Sequence, residues 1–146
     1  LYEKIADEEN EKLKKFDEFR GRLVERCILC GRKLKVVSAK WVKAQLGWNA
    51  SIYWCPNCNI TVARYFQSRI NETIIYTRER VNGKWEWTEH VDVVRAYEAY
   101  RFPPHEWVKE CTRVYIYRKS PITSKVLEAV EPLGVPIIRL DKEGRK

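Results

Sequence analysis

Cys27-Ile28-Leu29-Cys30-Gly31 and Tyr53-Trp54-Cys55-Pro56-Asn57-Cys58, with 24 residues between the two cysteine pairs, decide how this chain folds. Two residues between thiols let one tight turn aim both sulfurs at a single ion, and two such turns complete a tetrahedron. Gly31 supplies the positive φ such a turn needs, and Pro56 pre-sets the second turn. Four thiolates close a site, so Cys27, Cys30, Cys55 and Cys58 are expected to hold one structural Zn2+ with no open position for chemistry. Disulfide pairing is not expected in a chain read as cytoplasmic. An iron–sulfur cluster usually draws on three clustered cysteines and a fourth.

These two cysteine motifs, followed by the alternating Ile60, Val62 and Arg64, resemble the zinc-ribbon superfamily over about residues 27–66, under a third of the chain. The resemblance implies a β-hairpin carrying each knuckle at its tip and a zinc that is structural. Asn59 stands where that superfamily often has Gly, and Asn tolerates the left-handed conformation.

Working outward, 146 residues bound the chain to one domain or two small ones. Apolar residues at 45% and charged residues at 33% exclude global disorder. No run approaches 18 apolar residues, so no membrane-spanning helix is expected, and Leu1-Tyr2-Glu3-Lys4 opens no signal peptide. Abundant Glu, Lys and Arg without Met suits a thermophile.

The expected fold class is α+β: an N-terminal helix in 1–26, a zinc-ribbon β module in 27–70, and a small α/β domain in 71–146. Leu13, Phe16, Phe19 and Leu23 recur at helical spacing within 2–25. Residues 39–46 read as a short helix between Ser38 as N-cap and Gly47 as stop. Asn82-Gly83 turns a hairpin of 72–80 and 84–89. Residues 91–100 read as a helix ended by Pro103-Pro104. A terminal β-α-β unit follows: a strand at 112–117, a helix from the cap Ser120 and Pro121 to Leu133 and Gly134, and a parallel strand at 135–140. Cys111 reads as a buried structural thiol, and His90 and His105 are too isolated to suggest a second metal.

Charge points to function. Residues 21–80 carry 11 bases and 3 acids, which accounts for the whole net charge of +8, and Gly31 to Asn71 contains no acid. A one-signed segment in an otherwise balanced chain suggests a surface that faces nucleic acid, DNA or RNA. Its candidate contacts are Arg32, Lys33, Lys35, Lys40, Trp41, Lys43, Trp48, Arg64 and Arg69. Trp41, Trp48, Tyr53, Trp54, Tyr65 and Phe66 interleave with these bases and could stack on unpaired bases. At least half of the six are expected in the core, with Trp41 and Trp48 the exposed pair. Two alternatives remain open: an adaptor that docks on a protein machine through the N-terminal helix, and an enzyme centred on 71–146. No catalytic set is assignable. The 112–140 segment resembles in shape the end of zinc-dependent nucleobase deaminases. Their Pro-Cys-x-x-Cys is here Pro121-Ile122-Thr123-Ser124, so that activity is not expected.

Overall fold

The computed structural model describes residues 2–67, 70–96, 99–101, 106–108 and 111–140. The N-terminal helix α1 spans Tyr2–Arg22 and is followed by β1 (Lys35–Val37), α2 (Lys40–Leu46), β2 (Ala50–Cys55) and β3 (Ile60–Gln67). The long strands β4 (Ile70–Val81) and β5 (Lys84–Ala96) come next, then β6 (Ala99–Arg101), β7 (Glu106–Val108) and β8 (Cys111–Ile116). Helix α3 (Pro121–Val130), a 3-10 turn and β9 (Ile137–Arg139) complete the described chain. The result is a mixed α+β fold. Among the described residues no helix is long and apolar enough to cross a membrane.

One seven-stranded sheet runs in the order β1-β2-β3-β4-β5-β8-β9, so the hairpin that bears the second cysteine pair is continuous with the strands beyond residue 70. All pairs are antiparallel except β8 with β9, which run parallel with Val114 opposite Ile137 and α3 between them. Ser120 caps α3 by accepting from the backbone N–H of Thr123 at 3.1 Å. Gly134, in the left-handed region at φ 69°, stops the turn that follows.

The pleat separates two faces. On the first, Phe16, Phe19 and Leu23 of α1 and Ile122, Val126 and Val130 of α3 bury against Ile60, Val62, Ile75, Val91, Val93, Val114 and Ile116. The apolar stripe of α1 is thus spent on its own sheet, and Asp17 pairs with Arg95 of β5 at 3.4 Å. On the second face α2 covers Ala50, Ile52, Ala63, Ile74 and Tyr76 through Val42 and Leu46.

The expected helix over 91–100 is corrected: β5 continues unbroken to Ala96, paired with β4 on one side and β8 on the other. Val91 to Ala96 are all buried, because a central strand covered on both faces loses the polar alternation that marks half-exposed strands. The β-branched Val91, Val93 and Val94 favour that extended backbone. The cap of the short helix is corrected as well. Ala39 occupies that position without a side-chain bond, so Ser38 caps nothing, while Gly47 ends α2 as expected. The side chain of Cys111 and all of His105 and Arg69 lie outside the described residues.

Candidate metal centre and the basic cleft beside it

The two knuckles are built alike. In the first, Gly31 is left-handed at φ 75°, and its N–H donates to the carbonyl of Cys27 at 2.9 Å. In the second, Asn59 is left-handed at φ 57°, and its N–H donates to the carbonyl of Cys55 at 2.8 Å. Asn59 therefore does at the second turn what Gly31 does at the first. Its side-chain amide also donates to the carbonyl of Arg78 at 3.3 Å, which pins the knuckle to β4.

Each knuckle tips an antiparallel pair: the bridge Arg26–Lys33 in the first and the final β2–β3 pair, Cys55–Ile60, in the second. The sulfurs of Cys27, Cys30, Cys55 and Cys58 all lie within 4.8 Å of one another, and the four residues are free cysteines. The arrangement could hold a metal ion. Cys27 and Cys55 sit within the main core, and Cys30 and Cys58 pack against its edge. Burial pushes the Cys27 thiol up to about 12 and raises Cys58 as well. Cys30 is held down to about 6, chiefly by the backbone N–H of Arg32. Leu29 N–H donates to the Cys27 sulfur at 3.4 Å. Such donors favour thiolate over thiol, the form that binds metal.

The nine residues expected to face nucleic acid divide among several places. Arg32, Lys33 and Lys35 share one cleft of about 390 Å3 with Cys55, Pro56 and Asn57, against the second knuckle. Lys40, Trp41 and Lys43 lie on α2, where Trp41 lines a second cavity of about 270 Å3. Trp48 is exposed beyond the end of α2 and lines neither cavity. Arg64 alternates with Ala63 and so points to the other face of the sheet, its guanidinium 4.9 Å from the Phe66 ring.

The expectation that at least half of the six aromatics belong to the core is corrected. Trp41, Trp48 and Phe66 are exposed and Tyr53, Trp54 and Tyr65 are half-buried; the seven-residue α2 covers only part of the second face, where Trp54 and Tyr65 lie, while Tyr53 and Phe66 lie on the first. Sequence reasoning missed Arg78 and Trp87, which line the second cavity with Trp41 and Trp54. The signal was present. Asn82 and Gly83 both have positive φ, and a two-residue turn of that kind fixes the pairing on either side. It sets Arg80 opposite Trp85 and Arg78 opposite Trp87. Comparison with family models, with curated proteins and with solved structures finds no match for the chain.

Proposed function

We propose that this chain is a non-catalytic nucleic-acid-binding protein built around a zinc-ribbon-like centre, with one structural Zn2+ held by Cys27, Cys30, Cys55 and Cys58. Donor chemistry supports zinc. Four thiolates at Zn–S of about 2.3 Å form a tetrahedron with edges near 3.8 Å. The sulfurs of Cys30 and Cys55 stand 3.6 Å apart, and no pair exceeds 4.8 Å. A site closed by four thiolates leaves no position for substrate, which favours a structural role.

The observation that carries the binding role is the cleft of Arg32, Lys33 and Lys35, whose described lining contains no acid. Lys35 and Trp54 are cross-strand partners, so Lys35 of this cleft shares a sheet face with Trp54 of the second cavity. Bases of this kind supply affinity through phosphate contacts and counterion release.

The test replaces Arg32, Lys33 and Lys35 together by Glu and measures binding to DNA and RNA oligonucleotides across a salt series. The expected result is a loss of affinity of tenfold or more, with the log–log salt slope flattened by about 0.7–0.9 for each phosphate contact removed. Glu at Lys12, Lys15 and Lys125, exposed positions on α1 and α3, changes net charge equally and is expected to do much less. Equal binding by both triple variants would reduce the cleft to a solvated surface. The adaptor reading, docking on a protein machine, would then take its place.

A further inference from the structure

The cavity beneath α2 is walled by indoles from three elements: Trp41 of α2, Trp54 of β2 and Trp87 of β5. Val37 and Ile52 supply apolar floor, and Asn59, Thr61 and Arg78 supply polar atoms. Its volume of about 270 Å3 is near the lower end for small-ligand pockets, roughly 300 Å3.

An aromatic cage of this kind ordinarily suits a cation such as a quaternary ammonium group. Here that role is filled from within. The Arg78 guanidinium lies 4.4 Å from the Trp41 ring, 4.9 Å from Trp85 and 5.9 Å from Trp87. A second cation would meet Arg78 at close range, with Lys35, the cross-strand partner of Trp54, on the same face of the sheet. What the charge pattern favours is a flat, uncharged ring attached to an anion. The indoles and guanidinium offer π faces to the ring, Asn59 and Thr61 offer polar groups to its edge, and the basic cleft accommodates the anion. Such a ligand is a nucleotide within a single strand.

We propose that this cavity takes one unpaired nucleobase of a single-stranded nucleic acid, stacked on the Trp41–Arg78 pair, while the adjoining phosphates run to Arg32, Lys33 and Lys35. The proposal rests on the nucleic-acid reading above and adds to it the strandedness of the ligand and the residue that reads it. Trp41 is 48% exposed, so it can be replaced without opening the core.

The experiment uses the full metal-loaded chain and two probes of equal length and charge: an oligothymidylate of about a dozen residues and the same backbone with abasic positions throughout. An oligouridylate arm separates DNA from RNA as the source of the base. The wild type is expected to bind the base-bearing strands roughly 5- to 150-fold more tightly than the abasic one, the span of one stacked base. Trp41→Leu keeps an apolar side chain without the π face and is expected to bring base-bearing strands down to the abasic level with the salt slope unchanged. Trp41→Tyr restores most of the difference. Equal affinity of the wild type for base-bearing and abasic strands would overturn the base pocket and leave the phosphate-binding function standing. A Trp41→Leu variant that still prefers base-bearing strands as strongly as the wild type would do the same. Failure of the wild type to bind any strand at low salt would overturn both readings together.

Discussion

Asp92 sits on the second face of the central strand β5 at 5% exposure, and its Oδ1 has no hydrogen-bond partner among the described residues. Burial, with Glu72 and Glu89 alongside, raises its carboxyl from an ordinary 3.8 to about 9, against the pull of Arg113 on β8. A carboxyl raised on folding stabilises the native state fully below the unfolded value. That contribution is lost as the pH climbs through the folded value. Wild-type stability is therefore expected to fall between about pH 4 and pH 9 on account of this group. Asp92→Asn, which mimics the protonated form, is expected to come close to the wild type near pH 4 and to exceed it by several kcal/mol, on the order of 5, at pH 8. Urea melts of both proteins at the two pH values check this. A difference that does not grow with pH would show that Asp92 is ionised in the folded chain. His90 works in the opposite sense. Burial lowers its pKa, with Arg118 adding to the effect, so its contribution is present above the ordinary 6.5 and is lost as the pH falls through its folded value.

At the scale of elements, one polar chain ties three of them together. The register of β4 and β5 slips between Ile75 and Tyr76, which leaves His90 as the extra residue of a bulge. Its ring then reaches Thr77 of β4 at 2.7 Å through Nε2 and Ser120 at 2.9 Å through Nδ1. Ser120 is at once the cap of α3, bonded by Thr123 N–H, and the partner of a buried histidine. Ser120→Ala is expected to cost about 1–2 kcal/mol, at the upper side of cap losses, because it also leaves Nδ1 without a partner. Ser120→Thr keeps the oxygen and is expected to recover most of it. Chemical denaturation midpoints measure both, and equal midpoints for Ala and wild type would mean that the linkage carries no stability. Such elements also show what the residues declare in advance. The Ser120-Pro121 start and Gly134 stop of the α3 segment, the Asn82-Gly83 turn and the cysteine knuckles were legible, because each is local chemistry within a few residues. Val91 to Ala96 was not. Its identity as strand depends on β4 and β8 pairing with its two edges while α1 and α3 pack on one of its faces, and a run of six residues is too short to carry a period that separates helix from strand. The aromatic cavity was half legible. Trp41 and Trp54 stand in the acid-free segment, but Arg78 and Trp87 join them only through the hairpin register.

For the whole molecule, the cysteine centre is continuous with the core. Cys27 and Cys55 belong to the same buried cluster as Phe16, Phe19 and Leu23 of α1 and Val91, Val93 and Val114 of the central strands. Asn59, next to Cys58 in the chain, carries the connection to β4 through the Arg78 carbonyl. The structural zinc proposed for this centre would contribute on the order of 10 kcal/mol, comparable with the whole stability of an ordinary domain, about 5–15 kcal/mol. Without that ion up to four thiols would have to be accommodated at the junction of α1, β2 and β3. The loss is therefore expected to spread through the sheet and not to stop at residue 66. One zinc per chain is expected on metal analysis. Chelation, or Cys55→Ser, is expected to abolish the cooperative thermal transition and to expose backbone amides of β5 and β8 to hydrogen exchange along with those of β2 and β3. A metal-free chain that keeps β5 and β8 protected while β2 and β3 exchange freely would show that the sheet is energetically divided at β3–β4. A metal-free chain with an unchanged cooperative transition would show that the four cysteines hold no structural ion at all.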